Sequence, residues 1–263
     1  MKKICLAILL MVLCSRCALA EQPEWTYPLP PEILADTQGY ITLANKEVLL
    51  SEKYAPQDLE KLKVRSVVDD PVRADVNTAL VAMFDAAEEE GYKLYVKSAY
   101  RSYQTQETMY YARLDRNNGK DDGWVSKPGA SDHQTGLGVD VLNYAWTKKE
   151  GMNEKFAVEK EAKWMAENCW DYGFVIRYME DKEDITKINY EPWHLRYVGV
   201  DVALYMKEKH YCLEEFTEEW QAYVAEYEAN GGNFKQLLKD RARIQVTVVG
   251  YSDDGEEEVM LSH

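Results

Sequence analysis

The sequence predicts an α+β fold, a single domain in which a central antiparallel sheet is flanked by helices. Three observations predict it. Residues 75–91 place Val76, Leu80, Phe84 and Ala87 near helical spacing, with Glu88, Glu89 and Glu90 outward and Gly91 as a stop. Residues 93–98 alternate as a strand. Residues 137–142 form a short apolar run that reads as a buried strand and carries Asp140.

The other elements follow in order. Residues 21–39 hold Pro23, Pro28, Pro30 and Pro31 and read as an extended tether. A short β-prone run at 40–46 leads into loop and turn chemistry as far as Pro56. The strand at 93–98 delivers Tyr100 and Arg101 at its end. Residues 103–117 read as a helix with Gln106, Tyr110 and Leu114 on one face. Residues 118–123 are a turn-rich loop expected at the rim of a cleft. A helix is expected over 155–171, a strand over 172–178, a charged loop over 179–184 and an extended run over 185–194. Helices are expected beyond Gly199 to 209, over 213–229 and, after the Gly231-Gly232 break, over 234–238. Residues 243–251 alternate and pair on paper with the run after Asp253-Asp254-Gly255 as a terminal hairpin.

The chain has 263 residues, enough for one well-filled domain with extensions. Lys2 and Lys3, an apolar run over 4–13 and the small-residue site Ala18-Leu19-Ala20 read as a secretory signal over 1–20. The run is too short to span a bilayer comfortably. Arg16 disfavours the alternative, a lipid anchor at Cys17. No other segment is apolar enough to cross a membrane, so no stable span is expected after cleavage. Once the signal is removed, 28 basic residues stand against 46 acidic ones, a net charge of −18. That argues against nucleic-acid binding, which wants a basic stripe, and against an anionic membrane surface. Cys169 and Cys212 remain as either one disulfide or two buried thiols. The expected division is a signal over 1–20, the tether over 21–39, a core over 40–215 and a helical extension with hairpin over 216–263.

Chemistry concentrates in two stretches, Ser131-Asp132-His133-Gln134-Thr135-Gly136-Leu137-Gly138-Val139-Asp140 and Glu191-Pro192-Trp193-His194. The chain has four histidines, and two of them fall in these motifs beside a carboxylate. His133, Asp140 and His194 make a common ligand set for catalytic zinc, which leaves a fourth position for water. Glu191 is then the spare carboxylate that can act as general base. In a flat strand Glu191 and His194 would point to opposite faces, so the chain must twist or bulge near Pro192 for both to serve one site. Asp132 is expected to be solvated, His210 to lie outside the metal set and Trp193 to pack behind the ligand.

These motifs resemble the VanY-like D-alanyl-D-alanine and L,D-carboxypeptidases, a family of zinc metallopeptidases. The family pattern S-x-H-x-x-G-x-A-x-D is met from Ser131 to Asp140 except that Gly138 replaces alanine, and E-x-W-H is met at 191–194. A third element, S-x-Y-R-S-x-x-x-Q, runs from Ser98 through Tyr100 and Arg101 to Gln106. The resemblance spans about Tyr40 to Glu215. It implies a single zinc-peptidase domain and Zn2+ held by His133, Asp140 and His194. It implies Glu191 and Arg101 as catalytic groups, and Ser131, Gln106 and Tyr100 as substrate-binding groups. It also implies an exported enzyme acting on peptidoglycan stem peptides. Removal of the last D-alanine from pentapeptide stems is the first expectation. An L,D-carboxypeptidase acting on tetrapeptide stems is the alternative. An endopeptidase and a non-catalytic wall-binding protein are more distant ones.

Overall fold

The computed structural model describes residues 22–247. In chain order the elements are α1 (Pro31–Leu34), β1 (Leu59–Glu60), β2 (Val72–Arg73), α2 (Ala74–Glu89), β3 (Leu94–Ser98) and α3 (Tyr103–Arg116). Then come β4 (Gly138–Asn143), α4 (Tyr144–Thr147), α5 (Lys160–Asn168), β5 (Phe174–Ile176), α6 (Glu183–Thr186) and β6 (His194–Tyr197). Three helices close the described chain: α7 (Val200–Lys209), α8 (Leu213–Ala229) and α9 (Phe234–Thr247).

One four-stranded sheet, ordered β3-β4-β6-β5, has every neighbour antiparallel. A two-stranded ribbon, β1-β2, sits apart from it. The fold is therefore α+β, a single domain with its helices packed around the sheet. Strand β4 is buried from Gly138 to Leu142, which accounts for its near-continuous apolar run. Helix α2 covers the sheet with Val76, Leu80, Met83, Phe84 and Ala87. Helix α5, the turn after it and α7 add Trp164, Met165, Cys169, Trp170 and Met206 to the same core. Helix α3 is different: Gln106 is its one buried residue. It is a wall rather than a core element.

Three expectations need correction. The segment 21–39 is not a tether from residue 22 onward. Its prolines alternate with Trp25, Tyr27, Leu29 and Leu34, which pack inward, and Pro31 starts α1, where its missing N–H costs nothing. Trp25 and Tyr27 each meet the Tyr223 ring of α8 at 4.9 Å. The run 185–194 is not a strand. Helix α6 ends at Lys187 in the left-handed region, and the Asn189 amide bonds to Gly123 O rather than to the sheet. The strand starts at His194 and runs through Arg196 to Tyr197. Finally, the β-like alternation from 243 continues α9 to Thr247. Once a helix is nucleated each further residue adds a hydrogen bond, and this outweighs local β preference. The remainder of the expected hairpin, like the signal segment, lies outside the described residues. Cys169 and Cys212 are separate buried thiols, with burial raising the pKa of each. No helix among the described residues is long and apolar enough to cross a membrane.

Candidate active site

Antiparallel register builds the floor of the site. Asp140 of β4 lies opposite His194 of β6 on one side and Ser98 of β3 on the other. Cross-strand neighbours stand about 4.5–5.5 Å apart at Cβ, close enough for their side chains to share one ion. His133 comes from a 3-10 turn, Asp132–Thr135, that folds back onto the sheet. Ser131 Oγ caps that turn by accepting from the His133 amide at 3.3 Å. Gly136 ends it at φ 69°, where a Cβ would sit 2.9 Å from Arg73 Cγ, so both backbone angle and space call for glycine. Gly138 matters for a different reason. A methyl there would lie 3.0 Å from Asp132 Cβ, so the turn closes onto β4 more tightly than alanine permits without a shift.

The bend required near Pro192 is present. The His194 amide donates to Glu191 O at 3.1 Å, which closes a β-turn over 191–194. That turn brings Glu191 Oε2 within 3.4 Å of His194 Nδ1.

The donor set fits a tetrahedral ion. His133 Nδ1 lies 2.6 Å from the Ala99 carbonyl, so it carries the proton and leaves Nε2 free. His133 Nε2 is 3.4 Å from Asp140 Oδ2, and His194 Nδ1 is 3.2 Å from Asp140 Oδ1. Bonds of about 2.0–2.1 Å at tetrahedral angles imply donor separations of about 3.3 Å. Asp140 Oδ1 is buried and accepts no hydrogen bond. An orphaned carboxylate oxygen facing two imidazoles is costly unless a cation takes it. Among the described residues His133, Asp140 and His194 are the one such cluster of three potential ligands. His210 is elsewhere, beside Asp181 at 2.6 Å on the surface.

The electrostatics agree. Burial opposes ionisation of Asp140, but His133 and His194 overcome it and hold the carboxyl well below the usual range. Burial also opposes charge on His194, yet Asp140 and Glu191 raise its pKa to about 9. A pocket that grips a proton there is negative enough to grip a metal ion instead. Burial raises the Glu191 carboxyl, against the pull of His194, towards the range useful for a general base.

Arg101 reaches this centre from the end of β3. Its Nη1 donates to Gln106 Oε1 at 2.7 Å and its Nη2 to Ser98 Oγ at 3.0 Å. Gln106 is buried, and its Nε2 donates to Ser126 O at 2.6 Å. Gln106 borders the cleft and also braces Arg101. Both ends of its amide are engaged, so it positions Arg101. Gln106→Ala is expected to lower kcat/KM about tenfold by loosening the guanidinium, with zinc affinity unchanged; steady-state kinetics and zinc titration check this. Ser131 borders the cleft as expected, while its hydroxyl is also the cap of the 3-10 turn. Tyr100 does not border the main cleft. It lines an adjoining hollow together with Arg101 and Asp140, which also border the main cleft.

Asp132 is the largest correction. Instead of being solvated it is fully buried, bonded by Arg177 Nε at 2.8 Å and by Arg196 Nη1. These arginines overcome burial and hold its pKa at about 2. Arg177 also bonds Glu214 of α8 at 2.7 and 2.8 Å, and Arg196 donates to the carbonyls of Tyr40 and Thr42. Two arginines nineteen positions apart gave no spacing signal. Tyr178 was also missed. It lines the cleft, donates to Asp132 Oδ2 at 3.3 Å and lays its ring 5.0 Å from that of His194. Trp193 is buried, as expected, but also walls the cleft and stacks on Trp124 at 6.3 Å.

The cleft above this centre has a volume of about 490 Å³. A family model described as VanY: D-alanyl-D-alanine carboxypeptidase matches residues 69–200, half of the chain. The chain belongs to the VanY family. VanY relatives extend the match beyond that span. YodJ of Bacillus subtilis (strain 168), assigned to the carboxypeptidases, is 38% identical over 200 residues, covering 71% of this chain and 70% of YodJ. A D-alanyl-D-alanine carboxypeptidase of Enterococcus faecalis is 31% identical over 209 residues, covering 75% and 73%. Among solved structures, the LdcB LD-carboxypeptidase superposes with a TM-score of 0.63 at 39% identity, covering 67% of this chain and 84% of LdcB. The VanY D,D-pentapeptidase from a VanB-type cassette, solved with Zn(II), gives 0.57 at 28% identity, covering 68% and 98%. This member of the VanY family is a metallocarboxypeptidase, and its site matches that chemistry: three clustered donors with a free carboxylate beside them.

Proposed function

We propose that this protein is an exported, zinc-dependent carboxypeptidase that removes the C-terminal D-alanine from peptidoglycan pentapeptide stems. The observation that carries the reading is the pairing of a three-donor centre, His133, Asp140 and His194, with the unligated Glu191 carboxylate 3.4 Å from His194. A structural zinc site is closed by four protein ligands; this one has an open position and a base beside it.

Zinc, when bound, supplies a Lewis acid that brings the pKa of water towards neutrality and polarises the scissile carbonyl. Glu191 takes the proton from the attacking water. It then returns the proton to the nitrogen of the departing D-alanine, so the peptide C–N bond breaks as the amine is neutralised. Arg101, held by Gln106 and Ser98, donates to the oxygen that gains charge or to the terminal carboxylate. Ser131 supplies a hydroxyl at the cleft wall. The buried His133, Asp140 and His194 lie within a low-dielectric pocket that strengthens each of these interactions. The family description and the enterococcal relative support the D,D reading. The first 20 residues, read as an export signal, would deliver the enzyme to this substrate at the wall.

A second reading has its own support: LdcB, at 39% identity, is an LD-carboxypeptidase. Incubation with pentapeptide and tetrapeptide stems separately, followed by mass spectrometry, distinguishes the two. Loss of one alanine from the pentapeptide alone is the expected result. Loss from the tetrapeptide alone would transfer the assignment to the L,D class. Chelation is expected to abolish either activity and zinc to restore it. Turnover that survives full chelation would sink the metal-dependent reading.

A further inference from the structure

One face of α3 runs along the cleft away from the metal centre. Gln106, Met109, Arg113 and Arg116 recur at intervals of three and four, and all four border the cleft. From Gln106 to Arg116 the helix advances about 15 Å. The near end of this stripe positions Arg101. The far end is cationic, in a chain whose net charge is −15.

The two distal arginines differ. Arg113 is neutralised by Asp122, with contacts of 2.5 to 3.2 Å, and thereby holds the rim loop. That loop is further fixed by Asn189 Nδ2 to Asp122 O at 2.9 Å and by Lys46 to Asp121 at 3.0 Å. It is a built wall. Arg116 instead donates Nε to Ala112 O at 3.1 Å in its own helix and has no acidic partner among the described residues. Its remaining guanidinium N–H groups form a fork on the cleft edge, the geometry that recognises a carboxylate.

We propose that Arg116 is a specificity-determining residue that binds a stem-peptide carboxylate upstream of the scissile bond. The inference rests on the stem-peptide reading above. In such a stem the second residue, D-glutamate, is linked through its γ-carboxyl and leaves its α-carboxyl free. Two residues and the γ-link separate it from the scissile bond, roughly 10–12 Å when extended. This is of the same order as the span of the α3 stripe. The third residue can supply a second carboxylate when it is diaminopimelate rather than lysine. The shared chemistry is one carboxylate presented to one fork.

The test uses the full-length mature protein with zinc and four substrates of the stem length that it cleaves. These are a lysine stem with free D-glutamate, its α-amidated counterpart, a diaminopimelate stem with amidated glutamate, and a truncated N-acetyl-lysyl peptide without glutamate. Because Arg116 is exposed, the free-carboxylate stem is expected to be favoured over the amidated lysine stem by about three- to tenfold in kcat/KM. The effect should lie in KM and shrink with salt. Arg116→Gln is expected to erase the preference and leave the truncated peptide unaffected, and Arg116→Lys to restore part of it. A preference restored in the amidated series only by diaminopimelate assigns the fork to the third residue. Equal rates on all stems, or a preference that survives Arg116→Gln, would overturn the proposal. No cleavage even of the truncated peptide would instead sink the stem-peptide reading itself.

Discussion

Replacing Glu191 with glutamine is expected to lower kcat by about 10²- to 10⁴-fold while zinc stays bound. Glutamine keeps the shape of the side chain and the β-turn that carries it, but cannot accept a proton. The three donors are other residues, so metal content measured after dialysis should match the wild type. KM should change little, because the lost interaction belongs to the transition state. The buried setting of Glu191 sharpens the effect. The carboxylate is held 3.4 Å from His194, a position that a base from bulk solvent reaches poorly. A variant that retains more than about a tenth of wild-type kcat would mean that the proton goes elsewhere, and Glu191 would lose its assigned role.

The second large effect is on stability. Asp132→Ala is expected to destabilise the fold by about 3–5 kcal/mol, since it strands two fully buried arginines without the carboxylate between them. For a domain of this size that corresponds to a fall in Tm on the order of 10 °C. Asp132→Asn should cost less, because the amide oxygen still accepts one of the hydrogen bonds. Zinc affinity should also fall, as Asp132 precedes His133 in the same turn and sets its position. Thermal denaturation with and without zinc separates the two effects. A shift under about 1 kcal/mol for the alanine variant would show that the arginines find other partners, for example Glu214 for both.

The metal centre was legible in the sequence because its chemistry is local. His133 and Asp140 share one ten-residue motif, and Glu191 and His194 share a four-residue one. Even the need for a bend at Pro192 could be derived, since strand geometry forbids the two side chains from meeting otherwise. The buried strand β4 and helices α2, α3 and α8 were legible from periodicity within a few residues. What escaped was everything whose meaning lies across the chain. Asp132 reads as a solvated turn residue until Arg177, just past β5, and Arg196 of β6 reach it. Gln106 reads as a substrate-binding candidate, and its brace between Arg101 and Ser126 shows only in the fold. Trp25 and Tyr27 read as punctuation among prolines until α8 supplies Tyr223. Burial was the missing variable each time, and burial is a property of the assembled fold.

The ties that hold Asp132 bear on how the chain can be cut and in what order it matures. The family match stops at residue 200, but Glu214 lies beyond it and the Tyr40 and Thr42 carbonyls lie before it. A fragment trimmed to 69–200 would keep every metal ligand. It would leave Arg177 without one acid and Arg196 without two acceptors. Such contacts, some more than 150 residues apart, close late, because the entropy of bringing distant segments together is met before the contact forms. A chain still emerging from synthesis would therefore carry its ligands as separate loops. The cradle around Asp132 is complete only when Tyr40, Thr42 and Glu214 are in place, so the start of α8 belongs to the site's support rather than to an appendage.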